Sequence, residues 1–178
     1  IEESFSYLFP EIIKEWHPTK NEPLLPKHFS PGSNKKVWWQ CSKEDDHEWE
    51  AQIADRCLTN TNCPICANKK IILSNCLETL NPKLAKEWHP SRNGKLTPYD
   101  VGIGSNKSVW WKCSKGVDHE WKTIIVKRQK GSGCPVCSNQ KIVKSNSLAT
   151  TNPDLAKEWH PTNNGYLTPY DVSLGSGK

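Results

Sequence analysis

The sequence predicts a tandem series of small α+β modules, each made of a short helix and a β-hairpin and each held together by its own cross-link. A unit recurs along the chain at a spacing of 71 or 72 residues, which the tripeptide Trp-His-Pro marks at His17, His89 and His160. Eight cysteines and nine tryptophans accompany a hydrophobic fraction of only 35%. Small domains use such residues to compensate for a thin core, so this chain of 178 residues should form several modules rather than one large core.

The repeat sets the expected module boundaries. The segments that begin at Ser74 and Ser145 are identical at more than two thirds of their positions. The first copy is more diverged, but its second half, GSNKKVWWQCSKEDDHEW, matches GSNKSVWWKCSKGVDHEW of the second copy. We therefore expect one module over residues 1–73, a second over 74–144, and the N-terminal half of a third over 145–178. Because this third copy stops where its tryptophan-rich strand should begin, we expect the chain to be part of a longer protein.

Local signals predict one short helix and two strands in each module. Asn81-Pro82 and Asn152-Pro153 are typical of a helix N-cap followed by proline at the first helical position, and the helix should continue through LAKEWH to the next proline. The segments VWWKC and HEWKTIIV are rich in β-branched and aromatic residues, which predicts two strands. Adjacent strand tryptophans should lie on opposite faces. We favour core packing over base stacking for these side chains.

Cysteine and histidine residues recur together with the hairpin. A cysteine, five residues and a histidine are followed about fifteen residues later by Cys-Pro-x-Cys, and the whole pattern occurs twice. Two residues between cysteines place both thiolates on one side of a tight turn. Three thiolates and one imidazole make a closed tetrahedral shell suited to structural Zn²⁺. The sequence thus predicts two Zn²⁺ ions per chain, one held by Cys41, His47, Cys63 and Cys66 and the other by Cys113, His119, Cys134 and Cys137.

The sequence leaves alternatives to this ligand set open. The cysteines could form disulfides instead, although their regular spacing is more typical of metal ligands in a compartment that keeps thiols reduced. His89 could replace His119, but His119 lies within one loop of Cys113. The simpler account of His89 is a residue at a helix C-terminus that interacts with the last carbonyls. Cys57 and Cys76 have no cysteine at the equivalent position of the next copy, so we exclude them as ligands.

Two kinds of signal are missing from the sequence. The N-terminal residues lack a basic region followed by an apolar run, and no stretch approaches the length of a membrane span. We therefore expect an intracellular location, cytoplasmic or, in a eukaryote, nuclear, and no membrane partner.

The sequence also lacks a glycine-rich phosphate loop and a nucleophile elbow, and four protein ligands leave no open position on the metal. We expect no catalytic residues and no enzymatic activity.

The combined pattern resembles a known family. W-W-x-C-x₅-H-x-W, then an arginine, then G-S-G-C-P-x-C, with a preceding E-W-H-P element, is similar to a family of tandem treble-clef or zinc-ribbon repeats, and the resemblance covers essentially the whole chain. It implies a treble-clef or zinc-ribbon-like fold for each module. Arrays of this family resemble those found beside endonuclease domains of the very-short-patch-repair or restriction type. The resemblance therefore implies DNA binding and a fused or associated endonuclease domain.

The distribution of charge predicts where nucleic acid would bind. The formal net charge is +5, and two Cys₃His zinc sites would lower it by about two. Between residues 101 and 144, nine lysines and arginines accompany only two acidic residues. Cationic side chains beside glycine-rich turns are suited to phosphate contact. The predicted contacts are Lys35, Arg56, Lys107, Lys127, Arg128, Lys130 and Lys141.

These features predict a non-enzymatic DNA-binding array, with duplex favoured, that positions an effector or nuclease domain absent from this chain. Two other functions are compatible with the same residues. A protein-interaction or scaffolding module could use its basic surface to contact an acidic partner. RNA could replace DNA, because both carry phosphates and stackable bases.

Overall fold

The computed structural model describes residues 4–176, and the chain divides into two compact units, Ile1–Asn75 and Cys76–Lys178. The first unit contains α1 (Phe5–Leu8), α2 (Pro10–Ile13), β1 (Lys36–Gln40), β2 (Glu48–Gln52) and α3 (Ile53–Cys57), with 3-10 turns at Pro26–His28 and Leu73–Asn75. The second unit contains α4 (Leu77–Leu80), α5 (Pro82–Ala85), β3 (Ser108–Lys112), β4 (Glu120–Ile124), α6 (Ile125–Gln129), α7 (Leu148–Thr151) and α8 (Pro153–Lys157), with 3-10 turns at Pro98–Asp100 and Lys144–Asn146. Within residues 4–176, every helix is too short or too polar to cross a membrane.

One antiparallel hairpin organises each unit. In the first, Trp39 of β1 lies opposite Trp49 of β2, and in the second, Trp111 of β3 lies opposite Trp121 of β4. Burial alternates along β1 and β3, because successive strand side chains point to opposite faces. Trp39 and Trp111 are fully buried while their neighbouring tryptophans are half-buried, which confirms the prediction that each Trp-Trp pair is split between two faces.

Two short helices precede each hairpin, where the sequence predicts one. In the second unit, α5 begins at the predicted position. The side-chain oxygen of Asn81 accepts a hydrogen bond from the N–H of Leu84 at 3.0 Å, and proline occupies the first helical position. The helix then ends at Ala85 rather than continuing to the next proline. The segment after it pairs with β3 instead: the N–H of Lys112 donates to the carbonyl of Glu87 at 2.7 Å, and a second hydrogen bond of 3.0 Å joins residues 89 and 110.

The second hairpin strand is shorter than predicted. HEWKTIIV was expected to be extended throughout, but β4 ends before Ile125, where α6 begins. The N–H groups of Ile125 and Val126 donate to the carbonyls of Lys107 and Ser105 at 3.2 and 3.0 Å. These hydrogen bonds satisfy the first free N–H groups of the helix. Ile125, one of the β-branched residues that favoured a strand, is instead the first residue of α6 and is fully buried.

Each unit has a small core assembled from equivalent positions. The buried residues of the first core include Phe5, Val37, Trp39, Ile53 and Ile65, and those of the second include Leu77, Val109, Trp111, Ile125 and Val136. The central tryptophan packs edge-on against the tryptophan of the Trp-His-Pro element, with ring centroids 5.8 Å apart in the first unit and 5.6 Å in the second. Cores of this size need an additional cross-link.

The third copy of the repeat reproduces the helical part of the second. The N–H of Leu148 donates to the carbonyl of Val172 at 2.7 Å, as the N–H of Leu77 does to the carbonyl of Val101. This segment belongs to the same compact unit as the second hairpin. The boundaries 1–73, 74–144 and 145–178 stay predictions, and their outermost residues, 1–3 and 177–178, lie outside the described residues.

Candidate metal centre

The hairpin brings the first two ligands of each module together. Cys41 directly follows β1, and its N–H donates to the carbonyl of His47 at 2.9 Å. Cys113 and His119 are joined by the equivalent hydrogen bond of 3.0 Å. This bond closes the loop between the strands, so the thiol and the imidazole leave the loop on the same side. The Cys-Pro-x-Cys turn that follows α3 or α6 supplies the other two thiols.

The eight predicted ligands form two separate clusters. In each cluster all four donor atoms lie within 4.8 Å of one another. The Sγ atoms of Cys41 and Cys66 are 3.7 Å apart, and those of Cys113 and Cys137 are 3.8 Å apart. The Nδ1 atom of His119 lies 3.7 Å from the Sγ of Cys134 and 3.4 Å from that of Cys137.

These distances match the edges of a zinc tetrahedron. With Zn–S bonds of about 2.3 Å and Zn–N bonds of about 2.0–2.1 Å, the sulfur–sulfur edge is about 3.8 Å and the sulfur–nitrogen edge about 3.6 Å. A disulfide would require sulfurs about 2.05 Å apart, which excludes the disulfide alternative for this arrangement. Three soft thiolates and one imidazole also form the donor set that Zn²⁺ prefers. The chain therefore has two Cys₃His zinc sites.

Burial and mutual repulsion oppose ionisation of the thiols when no cation is bound. They raise the pKa of Cys66 to about 12 and that of Cys137 to about 11. Burial is the largest cause, and hydrogen bonding to the neighbouring thiols adds to it. A bound divalent cation lowers the pKa of the thiols, because its positive charge stabilises three adjacent thiolates. Metal binding must therefore release protons.

A hydrogen-bond relay holds the histidine ligand of the second module. The Nδ1 atom of His119 faces the thiols, and its Nε2 atom lies 3.2 Å from the Oγ of Ser145. The Ser145 hydroxyl donates to Asp118 at 2.6 Å, and this hydrogen bond is the main reason why the pKa of Asp118 is lowered. The relay fixes the tautomer with a proton on Nε2, which leaves Nδ1 free to bind the metal.

We expect Ser145→Ala to weaken zinc binding in the second module by about tenfold, because outer partners of a histidine ligand typically contribute 10- to 100-fold. Competition with a chromogenic zinc chelator would measure the change as earlier release of one of the two ions. Ser74→Ala is the matched control in the first module. Among the described residues the buried hydroxyl of Ser74 has no hydrogen-bond partner, so this substitution should leave both affinities unchanged. Equal effects of the two substitutions would contradict the proposed role of the relay.

The repeated histidine of the Trp-His-Pro element is not a ligand. The Nδ1 atom of His89 accepts hydrogen bonds from the N–H groups of Ser91 and Arg92, both at 3.2 Å, and its Nε2 lies 3.2 Å from Glu120. Contact with Glu120 is the largest cause of the lowered pKa of that carboxyl. The expected interaction with the last helix carbonyls is therefore replaced by bonds to the N–H groups that follow. His160 makes the same local bonds.

Two of the predicted nucleic-acid contacts are in the interior. Arg56 is only 4% exposed and Arg128 only 8%. The guanidinium of Arg56 pairs with Glu15, and that of Arg128 pairs with Glu87. Each also donates to a backbone carbonyl of the loop before the Cys-Pro-x-Cys turn, at Thr61 or Ser132 respectively. It also lies between two tryptophan rings, with centroid distances from 5.1 to 5.4 Å. The prediction that these arginines touch phosphates is corrected, because their charge is neutralised and enclosed within the module.

The other predicted contacts lie on the surface. Their side chains belong to exposed residues, namely Lys35, Lys107, Lys127, Lys130 and Lys141. The ammonium of Lys141 donates to the carbonyl of Glu120 at 2.7 Å, so this lysine also tethers the segment after the metal turn to β4. Exposure makes these positions available for phosphate contact.

Comparison with known proteins identifies the fold of both modules. Residues 12–69 and 84–140 each match a family described as "Probable Treble clef zinc finger domain", and each matched segment contains one complete Cys₃His cluster. A comparison with curated proteins found no match. This match indicates that the chain is a zinc module that binds nucleic acid or protein. Because the matched segments cover more than half of its length, this chain belongs to the treble-clef zinc finger family, with two such domains in tandem.

Proposed function

We propose that this chain is a DNA-binding zinc-finger array that has no catalytic activity of its own. The observation that carries the proposal is the set of exposed lysines on the second module. Its surface presents Lys83, Lys86, Lys107, Lys115, Lys122, Lys127 and Lys130. Among the described residues, none of these lysines forms an ion pair, so their charges face solvent.

Unpaired lysines on a rigid scaffold favour a polyanion as partner. Each phosphate that such a lysine neutralises releases condensed counterions, which supplies affinity without any base contact. The zinc site holds the strands and α6 in a fixed arrangement, so the backbone that carries the lysines does not have to be ordered by the ligand. Duplex DNA carries one phosphate charge per about 1.7 Å of its axis, about twice the density of one strand, and is the partner we favour.

The zinc ions act as structural cross-links in this proposal. Three cysteines and a histidine fill the tetrahedral shell, whereas a catalytic zinc keeps one position for water or substrate. The chain would then bind the DNA and orient an effector on it. We propose that the chemistry belongs to an effector of the endonuclease type, carried by the same protein or by a partner, as the family resemblance implies.

Fluorescence anisotropy with labelled duplex DNA tests the proposal. We expect binding by the zinc-loaded chain to weaken steeply between about 50 and 200 mM salt, as phosphate-dominated binding does. Single-stranded DNA and RNA of the same sequence serve as comparison probes, and a Mg²⁺-supplemented sample of the labelled duplex should stay uncleaved. Absence of measurable duplex binding at low salt would refute DNA binding and favour a protein partner.

A further inference from the structure

A groove with a volume of about 870 Å³ lies beside the second zinc site. Helix α5 and the residues just after it form one wall, and the end of β3 with the loop between the first two ligands forms the other. Four lysines line this groove, two on each wall: Lys83, Lys86, Lys112 and Lys115. We call this feature the lysine groove. Its volume is within the range of about 300–1,000 Å³ that is usual for ligand sites.

The charges of the lysine groove are largely uncompensated. Glu87 is the one acidic residue among those that line it, and its carboxylate is already paired with Arg128. The Nζ atom of Lys112 lies 3.4 Å from the Oε1 atom of Glu120, so this lysine has an acidic partner outside the groove lining. In the described part of the chain, Lys83, Lys86 and Lys115 have no acidic partner. The groove therefore presents a concentrated positive field to an incoming ligand.

The lining of the groove also includes apolar surface. Half-buried Trp88 and exposed Pro90 contribute to the lining, as does Val117, whose side chain is 86% exposed. A phosphodiester backbone has charged oxygens on one side and sugar carbons on the other, so it matches a groove whose lining combines lysine ammonium groups with apolar surface. An acidic peptide would match the lysines but would not need this combination.

The first module does not reproduce this charge. Lys83 and Lys112 correspond to Glu11 and Gln40, and Gly116 and Val117 correspond to Glu44 and Asp45. Lys14, the counterpart of Lys86, pairs with Glu11 at 2.6 Å. The two modules have the same ligand set, the same hairpin and equivalent cores. The difference in charge therefore comes from surface residues alone.

We propose that the lysine groove is the main phosphate-binding surface of the array and that the first module lacks an equivalent. This inference rests on the proposed function and makes it specific: nucleic acid is held by the second module, along the wall of its zinc site. The lysines of α6 and of the turn before β3 then contribute less, although the sequence alone favours them.

Two charge-matched variants of the full chain test the proposal. The groove variant replaces Lys83, Lys86, Lys112 and Lys115 by glutamine, the residue found at position 40 of the first module. The control variant replaces four exposed lysines elsewhere on the second module by glutamine, namely Lys107, Lys122, Lys127 and Lys130. Both variants lose four positive charges, so a nonspecific effect of net charge is the same in each. Zinc content and thermal unfolding establish that both remain folded.

Anisotropy titrations with duplex DNA over a series of salt concentrations give the decisive comparison. We expect the groove variant to bind on the order of 10²- to 10³-fold more weakly at about 0.1 M salt, with the salt slope reduced by about three, because up to four phosphate contacts are lost. The control variant should lose much less. If the wild-type chain binds DNA and the control variant loses as much affinity as the groove variant, the groove assignment fails while the proposed function stands. If the wild-type chain binds a polyglutamate peptide but no nucleic acid, both fail.

Discussion

Cys134→Ser is expected to release one of the two zinc ions and to unfold the second module. Cys134 is a buried ligand, and serine does not provide the thiolate that zinc requires. Binding of structural zinc contributes about 10–16 kcal/mol in zinc-finger peptides, which is as large as the whole stability of a typical domain. The small core around Trp111 cannot compensate for such a loss. Zinc content should fall from two ions per chain to one.

Cys57→Gln is the matched control for this prediction. Cys57 lies outside both metal clusters, and the second module has Gln129 at the equivalent position. The control should keep two zinc ions and its thermal unfolding should change little. Nuclear magnetic resonance spectra of the Cys134→Ser chain should lose the dispersed signals of the second module and keep those of the first. Retention of two tightly bound zinc ions by this variant would show that Cys134 is not a ligand.

Recurrence along the chain explains why the metal sites could be predicted from sequence. Every cysteine that recurs at the repeat spacing lies in a metal cluster, whereas Cys57 and Cys76 do not recur and lie outside the clusters. Recurrence alone does not select the histidine, because His89 also recurs; the short spacing to Cys113 selects His119. Cys76 is buried beside Thr79, with its sulfur 3.4 Å from the threonine hydroxyl. Ligand identity and short spacing are properties of the local sequence, so no knowledge of the tertiary fold was needed.

Arg56 and Arg128 recur as well, each with an acidic partner. Each recurs together with a glutamate 41 residues before it, and the structure pairs these partners. Interpreting each arginine by its charge alone placed it at the surface, whereas a buried charge needs a partner such as the recurring glutamate. Stacking against two tryptophans could not be predicted, because it depends on how the strands and α6 pack.

Other features depend on contacts between distant segments. The relay from His119 to Ser145 joins residues 26 positions apart, and no local motif announces it. The lysine groove likewise combines residues from α5 with residues from the hairpin loop. Its lysines at positions 83 and 112 are detectable only as differences between otherwise similar copies. On a repeated scaffold, positions that stay the same maintain the fold, and charged positions that change are the better candidates for specific function.

Arg56→Ala is expected to lower the free energy of unfolding of the first module by about 3–5 kcal/mol, because removing one partner of a buried ion pair leaves the other without compensation. The Glu15 side chain is only 17% exposed, and the carbonyl of Thr61 would also lose its donor. Arg56→Lys should recover no more than part of the loss, since an ammonium cannot contact both acceptors and stack between two rings. Urea unfolding followed by tryptophan fluorescence measures these changes.

Lys35→Ala provides the control, because Lys35 is an exposed cation of the same module and its removal should change stability by less than about 0.5 kcal/mol. DNA binding measured on the folded fraction distinguishes an interior arginine from a phosphate contact. An interior Arg56 contributes to stability and leaves the salt dependence of binding unchanged, whereas a phosphate contact would reduce the salt slope by about one at constant stability. The second outcome would restore Arg56 to the binding surface and contradict the packing described for it.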